Sequence, residues 1–314
     1  MRFRTLGKTG PKISEIGLGG WSIGGDSYGP TDDRESVAAI RRAFDLGITF
    51  FDTADMYGNG RSERLIAEAL RGHRKEVVIA TKMGYDFYKG GRDKNFTRGY
   101  LLFAVEQSLQ RLETDRIDLL QLHTPPLEVL QQGEVFEVMK LLQESGKIHS
   151  YGVSLSHSTP PKAAEIVVKK SRAVSLQIAY NLLHQEQLLA ISGLVRDSGI
   201  GIIARSPLEY GLLTGKYRED TTFHPEDHRS NRWTREELKA IVQKVEGLRF
   251  LVKGEVESLT EAALRFVLSN PLISVVIPGV KTAAQVEEHV RASGEGPYLT
   301  EEDLRKIEML MKEM

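Results

Sequence analysis

The sequence predicts a closed (β/α)8 barrel, and three observations carry that reading. Counting from Ile16, eight short apolar segments recur across 314 residues, and seven run into a plain helical pattern. Most are continuous and β-branched, as parallel strands buried on both faces are. No linker or low-complexity stretch divides the chain, so residues 1–314 read as one domain. Alternating strands and helices fit an open doubly wound sheet or a closed barrel. Eight units on one core favour the barrel, which takes about 250 residues.

The elements follow in order. Residues 1–16 read as a hairpin turning at Gly7-Lys8-Thr9-Gly10-Pro11, where Gly and Pro supply the turn chemistry. Ile16-Gly17-Leu18-Gly19-Gly20 is the first barrel strand, its glycines allowing close backbone approach. Trp21 follows in a glycine-bearing loop. Then comes a helix capped by Thr31 or Asp32, with Val37, Ile40, Ala43 and Phe44 on one face. Further strands are predicted over 48–52, 77–82, 117–123, 148–154, 174–178, 200–205 and 274–278. Helices are predicted over 62–70, 97–112, 127–145, 160–170, 185–198 and 282–292, while the strand at 200–205 leads into a long loop. Helical segments at 234–252 and 259–268 fall between the seventh and eighth strands. A last helix, 301–314, starts behind Thr300 with Asp303 at its third position.

Composition excludes several classes. Lys plus Arg is 42 and Asp plus Glu is 43, a net charge of −1. That balance offers no nucleic-acid surface and no attraction to anionic membranes. There is no cysteine, so disulfides, thiolate metal sites and cysteine nucleophiles are excluded. The start, Met1-Arg2-Phe3-Arg4-Thr5-Leu6-Gly7, has no apolar signal core, and no apolar run approaches a membrane span. A soluble, cytoplasmic protein is expected.

In such a barrel the active site lies at the C-terminal ends of the strands. Those ends carry Trp21 after the first strand, Asp52 and Tyr57 at the second, Lys82 at the third and His123 at the fourth. Ser154, Gln177 and Arg205-Ser206 end the fifth to seventh. Asp, Tyr, Lys and His together suit proton donation to a carbonyl. A free phenol titrates near ~10, too weak an acid for neutral pH. Lys82 is expected to favour the phenolate and lower the Tyr57 pKa. Asp52 compensates a buried Lys82. His123 donates a hydrogen bond to the substrate oxygen. No side chain supplies hydride, so a cofactor is expected. Singly, each residue has an ordinary explanation: a strand-edge ion pair, a half-buried tyrosine, a core histidine. Their joint arrival at neighbouring strand ends argues for chemistry.

These residues resemble the aldo-keto reductase superfamily along almost the whole chain. The matching segments are Leu6-Gly7-Lys8-Thr9-Gly10, Phe51-Asp52-Thr53-Ala54-Asp55-Met56-Tyr57-Gly58, Ala80-Thr81-Lys82 and Leu119-Leu120-Gln121-Leu122-His123. Gly152-Val153-Ser154, Ser206-Pro207-Leu208, Gly211-Leu212-Leu213-Thr214-Gly215-Lys216-Tyr217 and Ile277-Pro278-Gly279 continue the match. The segment 211–217 is similar to the bacterial and potassium-channel-β-subunit-like branches. The resemblance implies NADPH or NADH binding and reversible carbonyl reduction. It implies a tetrad of Asp52, Tyr57 as general acid, Lys82 and His123. Trp21, Tyr57, Tyr85 and His123 would face substrate.

The resemblance also implies the cofactor contacts. Gly20, Trp21 and Asp52 lie near the nicotinamide, with Ser154 and Gln177 on its carboxamide. Ser206, Leu208, Gly211 and Lys216 cover the pyrophosphate. Gly279, Val280, Lys281, Thr282, Gln285, Glu288 and His289 hold the adenosine end, where a helix N-terminus favours anions. Three positions depart from the family pattern. Leu155 stands where Asn is frequent, Arg205 where an aromatic stacks on nicotinamide, and His289 where Asn meets adenine. A planar guanidinium also stacks on rings, so Arg205 is kept among the cofactor residues. Lys281 and Thr282 favour NADP(H); with no Arg in that run, use of NAD(H) as well is credible.

Three function classes compete. The first, which we take, is a reductase of small-molecule aldehydes or ketones. The second is an NADPH-binding regulatory or sensor subunit with little turnover. The third is a metal-dependent hydrolase, disfavoured because His123 is the only histidine at a strand end. Substrate walls are expected from Trp21, Met56, Tyr85, Tyr88, Pro125 and the loop 209–232, with Arg205, Arg229 and Arg232 read as solvated. No metal is expected, and the sequence selects neither one carbonyl substrate nor an oligomeric state.

Overall fold

The computed structural model describes residues 1–312. An N-terminal hairpin pairs Phe3–Thr5 with Lys12–Ser14. Eight parallel strands follow: β1 (Leu18–Gly19), β2 (Phe50–Asp52), β3 (Val78–Met83), β4 (Ile117–His123), β5 (Ile148–Ser154), β6 (Ser175–Ala179), β7 (Gly201–Arg205) and β8 (Ile273–Ile277). Each pairs with its neighbours in chain order. Parallel bridges from Ile16 to Val276 and from Gly19 to Gly279 bring the two edges together. The predicted eight-stranded barrel is the fold.

The helices are α1 (Asp33–Asp45), α2 (Arg61–Ala69), α3 (Arg98–Arg111), α4 (Leu127–Gln132), α5 (Glu134–Glu144), α6 (Pro161–Lys170) and α7 (Glu186–Ser198). Then come α8 (Arg235–Glu246) and α9 (Leu259–Ser269) between β7 and β8, α10 (Ala283–Val290) and α11 (Glu301–Lys312). None of the described helices is long and apolar enough to cross a membrane.

Strand periodicity positions the site. Phe50, Ala80, Leu119, Ile203, Val275 and Ile277 form an inner core with Leu6 and Ile13 of the hairpin. It is separate from the larger core between strands and helices. Side chains alternate faces along a strand. Two residues beyond this apolar layer, the same face therefore presents Asp52, Lys82, Gln121 and Arg205, with His123 two residues further along β4. The apolar layer is the floor on which the polar layer stands.

Several local expectations are corrected. The helix predicted over 127–145 breaks at Gly133, whose φ of 83° is left-handed, giving α4 and α5. The segment 234–252 is α8 followed by a short 3-10 turn, Arg249–Leu251. Of the two expected caps of α1, Asp32 serves, accepting from the N–H groups of Arg34 and Glu35. A two-residue hairpin after β3, Tyr85–Asp86 against Asp93–Lys94, was not anticipated, because such short strands carry no period. The Thr300 hydroxyl does accept from Asp303 N–H at 3.1 Å. Residues 313 and 314 of the predicted last helix lie outside the described residues.

Candidate active site

The ladder between β2, β3 and β4 brings the charged groups together. Lys82 Nζ donates to Asp52 Oδ1 at 2.5 Å and to the Thr53 carbonyl at 2.8 Å. The same nitrogen lies 3.3 Å from the Tyr57 hydroxyl. Tyr57 is delivered by a turn tied back to the sheet: Thr53 N–H donates to Ala80 O at 2.8 Å and Asp55 N–H to Lys82 O at 3.1 Å. Asp52 Oδ2 accepts from Gln121 Nε2 at 3.0 Å and Gln177 Nε2 at 2.7 Å. Asp52 and Lys82 are only 2% and 1% exposed. A buried ion pair is costly unless its remaining hydrogen-bonding capacity is met; here the carboxylate is bonded through both oxygens.

Burial dominates the electrostatics. It raises the Tyr57 pKa; Lys82 pulls the other way without cancelling it. The expected net lowering is therefore corrected: Lys82 limits the rise. Burial also pulls Lys82 down and is the largest single influence, but Asp52 and Tyr57 together, through charge and hydrogen bonds, outweigh it and hold the ammonium above its ordinary value. His123 is pushed well below its ordinary value, first by burial and then by Lys82 and Arg205. It is neutral at neutral pH. Its ring stands edge-on to Tyr85 at 5.1 Å and to Tyr57 at 6.0 Å. Tyr85 is held by a 2.7 Å hydrogen bond between its hydroxyl and that of Thr124.

These groups open into a cavity of about 700 Å3, within the usual range for ligand sites. Gly20, Trp21, Asp52, Tyr57, Tyr85 and His123 line one end, with Ser154, Gln177 and Arg205. Ser206, Leu208, Gly211 and Lys216 line the cavity too, as do Gly279, Val280, Lys281, Gln285, Glu288 and His289. Lys82 stands behind Tyr57, off the wall. Thr282 is also off the wall: its hydroxyl accepts from Gln285 N–H, and Gln285 Oε1 accepts from Thr282 N–H at 3.3 Å in return, capping α10. Tyr88 and Pro125 are not wall residues; the Tyr88 hydroxyl instead accepts from Arg111 at 2.8 Å. Met56 does line the cavity.

Two loops meet at the cavity wall. Tyr28 and Asp227 form an antiparallel bridge, and His228 N–H donates to Ser27 O at 2.9 Å. Lys281 Nζ reaches the Tyr28 carbonyl at 2.6 Å. Arg229 is not simply solvated, as expected, but forks onto Asp227 at 2.8 and 2.5 Å. Arg205 likewise donates to Leu155 O at 3.0 Å. Sequence reasoning missed Gln121, Tyr28, His157 and Thr260, while Tyr210 comes from the loop 209–232 expected to supply walls. Only Gln121 carried a signal, as a polar residue inside an apolar strand on the face shared with His123.

The donor set suits a dinucleotide. Lys216 and Lys281 offer cations. His289 Nδ1 and Thr260 Oγ1 are buried without partners among the described residues. Burial lowers His289 to about 4, so its neutral ring has one nitrogen to donate and one to accept. Gly20 packs directly on Ser62, where a Cβ would lie 2.6 Å from the hydroxyl oxygen. No group of three His, Asp or Glu among the described residues could hold a metal ion.

Comparison with known proteins shows the family and the fold. The profile described as the aldo/keto reductase family matches residues 15–312. The aldo-keto reductase YhdN of Bacillus subtilis is 33% identical, over 99% of this chain and 94% of the relative. A protein of Arabidopsis thaliana described as "Probable voltage-gated potassium channel subunit beta" is 29% identical, over 99% of this chain and 97% of its own. Among solved structures, the holo form of aldo-keto reductase AKR11C1 from Bacillus halodurans superposes with a TM-score of 0.82 at 28% identity, covering 99% of this chain and 96% of that one.

Proposed function

The chain belongs to the aldo/keto reductase family, and from that premise we propose that it reduces aldehydes or ketones to alcohols with NADPH, Tyr57 acting as general acid. One observation carries the reading. The Tyr57 hydroxyl lies 3.3 Å from a Lys82 that is locked onto Asp52, at one end of a dinucleotide-sized cavity. Bound nicotinamide supplies the hydride. Tyr57 gives its proton to the carbonyl oxygen, and the adjacent ammonium offsets the charge left on the phenolate. Neutral His123 directs a ring N–H at the same oxygen. Asp52 touches no substrate proton; it keeps Lys82 charged.

The remaining residues hold the cofactor. Gln177 donates to Asp52 through Nε2, and its Oε1 accepts from the Ser154 hydroxyl at 3.4 Å; the remaining lone pair of Oε1 and the acceptor side of Ser154 Oγ are offered to the carboxamide. Lys281 favours a 2′-phosphate, and the charge of Arg229 acts on the same ammonium. Arg229 is paired with Asp227, so the Lys281 ammonium is the charge that favours the 2′-phosphate; NADP(H) is the preferred cofactor and NAD(H) the weaker one. The setting is the cytoplasm, where reduced dinucleotide is available.

The test is oxidation of NADPH and NADH across a panel of aldehydes and ketones. Sustained turnover with at least one carbonyl, faster with NADPH, is expected. Tight dinucleotide binding with no turnover on any carbonyl would overturn the reading. That outcome would favour a sensor subunit, a second role suggested by the similarity to a probable channel subunit.

A further inference from the structure

The segment after β7 holds an unusual backbone path. Ser206 (φ 53°), Glu209 (φ 41°) and Tyr210 (φ 55°) are left-handed without being glycine, and Gly211 follows at 94°. Such conformations are disfavoured for residues with a Cβ and persist only where the surroundings impose them. Ser206, Leu208, Tyr210 and Gly211 line the first cavity; Glu209 does not. It faces a second cavity of about 740 Å3, with His157, His184 and Arg232. The segment is thus the wall between two cavities.

What imposes the path is a set of grips on Glu209. The residue is 5% exposed. Its Oε2 accepts from Asn181 Nδ2 at 2.8 Å, and the same amide donates to the Ser206 carbonyl at 2.9 Å. Its Oε1 lies 3.4 Å from His184 Nε2. Asn181 is itself fixed, because its Oδ1 accepts from the N–H groups of Leu183 and His184 at 2.8 and 3.0 Å. On the far side, the Arg232 guanidinium sits 3.4 Å from the Tyr210 ring centroid.

We propose that Glu209, gripped by Asn181 and His184, is a positioning residue for the dinucleotide, and that the grip loosens when His184 loses its proton. The proposal rests on the reading that the first cavity binds a dinucleotide. Glu209 touches no cofactor; it acts through the wall that does. The His184 side chain is 46% exposed, so solvent protons reach it. The charged and titratable groups around the pair are Glu186 at the start of α7, His157 after β5, Arg205 at the end of β7 and Arg232. Glu209 is the main influence and holds His184 above its ordinary value. The grip is therefore complete below the free imidazole range of about 6.5 and is lost as pH rises through the raised value. His157, lowered to about 4, is neutral throughout that window.

The experiment is calorimetric titration of NADPH and NADH from about pH 5.5 to about pH 9, on wild type, His184→Gln, Glu209→Gln and Glu209→Ala. NADH removes the titration of the 2′-phosphate itself. For wild type, Kd for both dinucleotides should rise roughly fivefold or more across the window. His184→Gln, neutral at every pH, and Glu209→Gln, uncharged but still able to accept from Asn181, should both flatten the NADH profile. Glu209→Ala should bind most weakly throughout. Dinucleotide binding by wild type with a flat profile overturns the clamp and leaves the reductase reading standing. A His184→Gln profile as steep as wild type overturns it too, as does a Glu209→Gln variant whose Tm falls while Kd is unchanged. No dinucleotide binding at any pH overturns both readings.

Discussion

Asp52, Lys82 and Gln121 stand on three adjacent barrel strands, whereas residues 206–211 hang from the end of one. Ladder hydrogen bonds fix the first group: Lys82 is in register with Gln121, and Asp52 with Ala80. The second group follows a left-handed path maintained by side chains, chiefly Glu209 and Asn181. The groups that hold the Tyr57 phenol from behind sit where the backbone cannot drift. The stretch that must admit and release a large ligand sits where a few side-chain bonds decide its position. Substitutions at the strand ends should therefore strike turnover, and substitutions in the cover should strike binding.

The sharpest way to break that division is Tyr57→Phe. Removing one hydroxyl should lower kcat for carbonyl reduction by about 10²–10⁴ while dinucleotide Kd, read by titration, stays unchanged. Lys82→Met comes next. It should cost about 10²–10³ in kcat and leave Asp52 as an unpaired buried charge, a loss of about 3–5 kcal/mol visible in denaturant unfolding. A Lys82→Met enzyme as stable as wild type would contradict the buried pair. On the binding side, Lys281→Ala should weaken NADPH about tenfold, some 1.4 kcal/mol, and leave NADH unaffected. Gly211→Ala should raise the dinucleotide KM roughly three- to tenfold with little change in kcat. There φ is 94° and the new Cβ would lie 2.6 Å from the Tyr217 hydroxyl. Equal damage to kcat would blur the division.

The smallest effect expected is with pH. Burial holds Tyr57 above its ordinary value, so the proton it is proposed to donate is present throughout the neutral range. Turnover in the reducing direction should fall only above the ordinary phenol range of about 10. His123, held low, is already neutral and should add no limb between about pH 6 and about pH 8. A limb there in the pH profile of kcat would place a different group in the proton transfer.

Much of the site was legible in the chain because strand alternation is a local rule. Once Phe50, Ala80 and Leu119 point inward, Asp52, Lys82 and Gln121 must do the same two residues later. Gln121 is harder to single out, because it stands in the middle of an apolar strand between Leu120 and Leu122. The cover was less legible. Nothing in Ser206-Pro207-Leu208-Glu209-Tyr210-Gly211 announces three left-handed residues, since that path is imposed by Asn181, some 28 positions from Glu209.

The order of strands and helices, the barrel and the polar ring at its mouth were determined by the sequence alone, through period and parity that act within a few residues. Tertiary structure decided the rest. It brought Arg229 within electrostatic reach of Lys281, where the local run offers no arginine. It set the Tyr57 phenol above rather than below its ordinary value. It moved Thr282 from the cavity wall to the cap of α10. Each depends on how deeply a group is buried and on which distant loop lies against it. Those quantities exist only once the ring of strands has closed.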